Sequence, residues 1–125
     1  MIEAMRNHPH QPHLQRAGCE SIRNICILQP QARQLVTQSG GIQVLVDMMR
    51  HHLDNAEIQR SGCTTLASVA EGGMDCKITV AECGGILAVM KAVEIHPDND
   101  TVLRAAYQAL RMLGYNPGAN SGGGG

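Results

Sequence analysis

Leu14-Gln-Arg-Ala-Gly-Cys-Glu-Ser-Ile-Arg-Asn-Ile25 is the stretch that decides the fold, because it occurs three times. It returns as Ile58-Gln-Arg-Ser-Gly-Cys-Thr-Thr-Leu-Ala-Ser-Val69 and as Val102-Leu-Arg-Ala-Ala-Tyr-Gln-Ala-Leu-Arg-Met-Leu113, each time 44 residues on (14 to 58, 58 to 102). The same offset holds outside this stretch. Met5-Arg6 returns as Met49-Arg50, His8 as His52 and His96, and Pro9 as Pro97. Asp54-Asn55 returns as Asp98-Asn99, Gly40-Gly41-Ile42 as Gly84-Gly85-Ile86, and Val36 as Val80. Self-similarity at one period of this size marks a protein built by stacking one supersecondary unit.

The unit reads as helical throughout. Leu14, Gly18, Ile22 and Ile25 recur at spacings of 4, 4 and 3, the stripe of a 3.6-residue period, and predict a helix from about Pro12 to Leu28. Residues 1 to 7 read as the last turns of a preceding helix, followed by a loop that carries Pro9. Pro30 breaks the chain, and a short helix follows from about Gln31 to Ser39. Gly40 suits its left-handed cap. Ile42, Leu45, Val46 and Met49 stripe the next helix. Asp54 and Glu57 have capping-box spacing and open a long helix from about Asn55 to Glu71, which Gly72-Gly73 ends. A short helix from about Asp75 to Cys83, a helix from about Ile86 to Ile95, and a long helix with Asp98 as N-cap complete the third unit.

The predicted organisation is therefore a partial unit over 1–28, holding the last two helices, then complete units over 29–71 and 72–114. Residues 115–125, with Pro117 and a terminal Ser-Gly-Gly-Gly-Gly, read as a flexible Gly-rich tail.

A three-helix unit with Gly-Gly-Ile between its first two helices resembles the armadillo repeat. The residues that carry the likeness are Val36-Thr-Gln-Ser-Gly-Gly-Ile-Gln-Val-Leu-Val46 and Val80-Ala-Glu-Cys-Gly-Gly-Ile-Leu-Ala-Val-Met90, each followed by a His-containing loop and the long helix. The helical solenoid of the HEAT type is the near alternative, but its unit has two helices. The resemblance implies an all-α, right-handed solenoid of about two and a half repeats. Its long third helices would line a concave groove that holds an extended peptide of a partner. In nuclear-import and catenin members a Trp, and an Asn four residues later, bind the peptide backbone. Here the first position holds Glu20, Thr64 and Gln108, and the second Asn24, Ser68 and Met112. Only Asn24 fits, so nuclear-signal recognition is not carried over.

Composition narrows the function. Hydrophobic residues make up 43% of the 125, enough for an ordinary core, yet Phe and Trp are absent. The core must be aliphatic, which suits close helix packing. A net charge of -1 argues against a nucleic-acid partner, which a basic excess would recruit. No apolar run approaches the roughly 20 residues of a membrane span, so no membrane partner is expected. Five cysteines without disulfide spacing, and no signal peptide at the N-terminus, point to reduced thiols in the cytoplasm or nucleus.

With Leu14, Gly18, Ile22 and Ile25 inward, the opposite face of the first long helix holds Arg16, Glu20 and Arg23, with Asn24 at its edge. Its equivalents are Arg60, Thr64, Ala67 and Ser68, then Arg104, Gln108, Arg111 and Met112. Arg16, Arg60 and Arg104 fall on one position of three stacked helices, so their guanidinium groups form a row. Such a row suits carboxylates, phosphates or carbonyls of an extended chain. Glu20 stands one turn from Arg16, whereas Thr64 and Gln108 leave Arg60 and Arg104 without a carboxylate at that position. The expected partner is a protein or peptide segment, acidic or phosphorylated.

Other chemistry is thinner. His8, His10 and His13, with His51, His52 and His96, are metal-capable types, but Pro9 and Pro12 interrupt the first set and no Cys stands at a ligating offset. Cys19 and Cys63 share a packing position with Tyr107, and Cys76 and Cys83 lie seven apart. No catalytic motif, metal site or cofactor motif is found. The expected function is a non-catalytic interaction module. One alternative is a spacer segment of a longer solenoid, and another is a His/Cys metal- or redox-regulated module. Met1 to Met5 at one end, and Ala105, Ala109 and Leu113 at the other, carry no plainly polar cap. Either truncation from a longer chain or self-association through the ends is expected.

Overall fold

The computed structural model describes residues 2–115. Among them the chain is all α, with eight helices and no strand. The helices are α1 Ile2–Asn7, α2 Pro12–Leu28, α3 Ala32–Gln38, α4 Gly41–His51, α5 Ala56–Ala70, α6 Met74–Glu82, α7 Gly85–Ile95 and α8 Asp100–Met112. Met1 and the predicted tail from residue 116 lie outside the described residues.

The Gly-Gly joints set the angle between short and medium helices. Gly40 and Gly84 sit at φ 84° and 88°, a left-handed conformation that costs Gly little and other residues more. The second Gly of each pair has a different reason. A Cβ on Gly41 would lie 3.0 Å from the Val36 carbonyl oxygen, and one on Gly85 would lie 2.8 Å from that of Val80. The medium helix therefore starts pressed against the end of the short one.

In the first two units one buried glutamine seals the long helix to the helix before it. The buried Gln59 side chain donates through Nε2 to the carbonyls of Met49, at 2.9 Å, and His52, at 2.8 Å. Gln15, its repeat partner, donates to Met5 and His8 at the same two distances. These carbonyls belong to the last turn of a helix and the residue after it, where intrahelical donors run out. At the other end of α5, Arg33 Nε donates to the Ser68 carbonyl at 2.6 Å and Gln34 Nε2 to that of Gly72 at 3.1 Å. The short helix thus caps the C-terminus of the long one, where a cation is also favoured by the helix dipole.

Repeat-equivalent long helices pack side by side. The most extensive contacts join α5 to α8 and α2 to α5. In consequence α5 is buried on nearly every side, with Ile58, Cys63, Leu66 and Val69 in one aliphatic core. Ile42, Leu45, Val46, Met48 and Met49 of α4 face them, and Val89, Val102, Ala106 and Leu110 continue the core into the last unit.

Several expectations are corrected. The core face of α2 is Gln15, Gly18, Cys19, Ile22 and Cys26. Leu14 is half-buried, and Ile25 is 51% exposed although Val69, its equivalent, is fully buried. The apolar side chain is present at position 25, but no described helix covers it. The N-caps are Asn55 and Asn99, one residue after the expected Asp54 and Asp98. Their side chains accept from the backbone N–H of Ile58 and Val102 at 3.0 and 3.1 Å. Both Asn residues are extended (φ -92° and -98°), as an N-cap requires. Ala105 and Ala109 do not form an open end: they are buried between α5 and α8, and Tyr107 is exposed instead.

Candidate functional site

The face expected to bind a partner is formed by α2, α5 and α8, and its arginines differ in how free they are. Arg16 faces Glu20 at 3.9 Å. Arg60 is held by Glu57 at 3.0 Å, which corrects the expectation that it lacks a carboxylate neighbour: the acid comes from three residues back, not from position 64. Arg104 is exposed and makes no ion pair among the described residues. Exposed pairs at such spacing contribute only about 0.3–0.5 kcal/mol, so a ligand can displace them.

The remaining face residues spread out. Asn24, Gln108 and Arg111 are exposed and Met112 is half-buried. The Thr64 hydroxyl donates to the Arg60 carbonyl at 2.8 Å, an i−4 bond that turns it back on its own helix. Ser68 is buried, at 8% exposure, beneath the Arg33 contact, so it does not stand on the open face.

The seam between α2 and α5 gathers what the rest of the face disperses. One cleft of about 310 Å³ lies where the two helices begin, lined by Pro12, His13, Arg16, Asn55, Glu57 and Ile58. A second, of about 130 Å³, lies further along and is lined by Glu20, Arg23, Arg60, Ser61 and Thr65. Its walls are nearly all polar. Arg23 Nε and Ser61 Oγ are buried and have no hydrogen-bond partner among the described residues. Thr65 is committed: its Oγ1 lies 3.3 Å from the Cys19 carbonyl and 3.0 Å from the Cys19 thiol. The thiol also reaches the Ser61 carbonyl at 3.2 Å.

Three of the five cleft residues, Glu20, Arg23 and Arg60, are legible from helical spacing. Ser61 and Thr65 are not, because they sit on the side of α5 that meets its neighbour. The repeat register does hold a signal for them: the same positions carry alanine in α8.

The histidines and cysteines have structural positions. His52 Nε2 lies 2.7 Å from the Pro9 carbonyl and His96 Nε2 lies 2.8 Å from that of Leu53, so each donates to the loop one unit earlier. His10 and His51 meet edge to face at 5.1 Å. No three His, Cys, Asp or Glu side chains converge as metal ligands among the described residues. All five thiols are free. Burial pushes Cys19 and Cys63 up to about 12, so neither is a thiolate near neutral pH. Burial also raises Cys26 and Cys83. Cys76 is buried and accepts from the Thr37 hydroxyl at 3.2 Å, joining α3 to α6. No helix of the described residues is long and apolar enough to cross a membrane.

No family model, curated protein or solved structure matches this chain.

Proposed function

We propose that the chain is an armadillo-type helical solenoid and a non-catalytic interaction module, holding an extended acidic or phosphorylated segment of a partner protein across its long helices. One observation carries the reading. Three repeat-equivalent helices pack side by side, and arginines line both clefts of the α2/α5 seam, Arg16 the first and Arg23 and Arg60 the second, polar one. A segment crossing the three helices meets Arg16 on α2, Arg60 on α5 and Arg104 on α8, with Arg23 in the seam between the first two. Free thiols fit a reducing compartment, the cytoplasm or nucleus. A spacer role within a longer array is the second reading, and the exposure of Ile25, whose equivalent Val69 is buried, favours it.

The test is binding of an extended-peptide library to the wild type and to Arg60→Ala/Arg104→Ala at two salt concentrations. Charge-assisted hydrogen bonds contribute about 1.5–3 kcal/mol each. Acidic peptides should lead the selection, the double variant should bind them at least about tenfold more weakly, and salt should weaken binding. Selection of basic or apolar peptides, or equal binding by the variant, overturns the acidic-segment reading. No selection at all favours the spacer.

A further inference from the structure

We propose that the cleft between α2 and α5 is a subsite for one carboxylate, supplied by an Asp or Glu side chain of the bound segment. The source of the carboxylate rests on the function proposed above; the subsite itself stands on the cleft.

The first argument is unfinished hydrogen bonding. Ser61 is 3% exposed, and its Oγ has no partner among the described residues; neither has Arg23 Nε. Buried polar groups in folded proteins are nearly always paired, so two orphans in the wall of one cleft call for an acceptor between them. Arg23 Nε offers only a donor, and the Ser61 hydroxyl can offer another. A carboxylate has two oxygens and accepts both bonds, which its charge strengthens.

The second argument is an internal control. The α5/α8 seam joins the next pair of repeat-equivalent long helices. There Arg23 is replaced by Ala67, Ser61 by Ala105 and Thr65 by Ala109, and all three alanines are buried. Stacking two long helices therefore does not require the polar set. The α2/α5 seam carries it although alanine serves the packing next door.

Charge and size choose the ligand. Arg16, Arg23 and Arg60 bring three positive charges to the cleft and its rim, and Glu20 and Glu57 bring two negative ones. Arg16 and Arg60 are paired with these acids, whereas Arg23 makes no ion pair among the described residues. One excess positive charge suits a monoanion; a phosphate dianion would also press against Glu20. A volume of about 130 Å³ is roughly that of four liquid waters, which matches the four heavy atoms of a methylene-carboxylate group.

The experiment follows the arginine Nε–H resonances of ¹⁵N-labelled protein by NMR. Ligands are acetate, a blocked heptapeptide of alanines with one central Glu, and its Gln and phosphoserine counterparts, all at constant ionic strength. Variants are Arg23→Ala/Ser61→Ala, which copies the residues of the α5/α8 seam and so should fold, and Glu20→Gln. The Arg23 resonance should move with acetate and with the Glu peptide. The double variant should keep the wild-type melting temperature and bind the Glu peptide about tenfold more weakly, no better than the Gln peptide. Glu20→Gln should bind the Glu peptide several-fold more tightly.

The subsite is overturned if acetate leaves the Arg23 resonance unmoved, which would mean bound water alone satisfies the two donors. It also falls if the double variant binds the Glu peptide as well as wild type, or if phosphoserine outcompetes Glu. Equal binding of the Glu and Gln peptides to wild type sinks the subsite while leaving the peptide-binding face intact. Movement of Arg23 with acetate, without binding of any peptide, keeps the subsite and sinks the peptide-binding face.

Discussion

Gln59 shows how a single side chain ties one unit together. It is fully buried, and its amide nitrogen donates to the Met49 carbonyl in the last turn of α4 and to that of His52 just after it. Gln15 does the same one unit earlier, while the third unit has Leu103 at this position. Gln59→Leu should therefore fit sterically but strand the Met49 carbonyl, while His52 keeps the Asn55 N–H, at a cost of about 1–3 kcal/mol measured by urea unfolding. A loss within about 0.5 kcal/mol, the range of surface changes, would show that the amide is not holding the turn. The thiols make a second residue-scale prediction. Cys19 and Cys63 are held near 12 by desolvation against 9.0 for a free thiol, so the folded state keeps protons that the unfolded state has lost. Their contribution to stability is complete below about pH 9 and falls as pH climbs from there towards 12. Wild type should thus lose stability more steeply above pH 9 than Cys19→Ala/Cys63→Ala. Parallel pH profiles would mean that the thiols titrate alike in both states.

At the scale of elements, the short helices act as fittings between the longer ones. The pair Gly84-Gly85 ends α6 and starts α7 within two residues, using a left-handed turn and then a close approach to Val80. Gly85→Ala would force a methyl group against the Val80 carbonyl, and backbone cannot swing aside as a flexible side chain can. The expected loss is about 1–3 kcal/mol, with the melting temperature as readout. Gly73 is strained for alanine for the other reason: its φ is 122°, but no atom lies near an added Cβ, whereas Gly85 has no positive φ and meets Val80. If Gly85→Ala lost less than about 0.5 kcal/mol, the level of a surface change, the close approach would not be the reason for the second glycine. Helix limits and the Gly-Gly joints were legible in the sequence because both rest on local chemistry, a 3.6-residue period and a backbone conformation. The rotational setting of α2 was not, since Leu14 and Ile25 are apolar and complete a plausible stripe. Choosing Asn55 over Asp54 as the cap likewise depended on which backbone residue turns extended.

At the scale of the whole molecule, the two ends expose repeat positions that are buried in the middle unit. At one end Ala17, Ile25 and Leu28 of α2 are exposed, whereas the equivalents of the first two, Ser61 and Val69, are buried against α2. At the other end Tyr107 is 44% and Met90 39% exposed, whereas Cys63 and Val46 are fully buried. Cys19 meets Ser61 and Thr65 inside the chain; in a second copy Tyr107 would meet Ala17 and Ser21 in that register, a larger side chain against smaller ones. Such a contact would be heterologous, so copies would add head to tail. Light scattering should show mass rising steadily with concentration rather than stopping at a dimer. Either Ile25→Glu or Tyr107→Glu should suppress the rise, because each spoils one half of the same contact. A wild type that stays monomeric at high concentration would leave both faces without this partner.

The sequence by itself determined the period, the helical character, the positions of the joints and the repeat position shared by Arg16, Arg60 and Arg104. All of these follow from residue types at fixed spacing along one chain. Only the tertiary structure decided which side of α2 is covered, that Glu57 holds Arg60, that Ser68 is buried, and that Arg23 and Ser61 share one cleft. Each of these is a relation between two elements, set by how far one helix is rotated against the next. Helical spacing fixes which residues share a face, but the neighbouring helix fixes what that face meets.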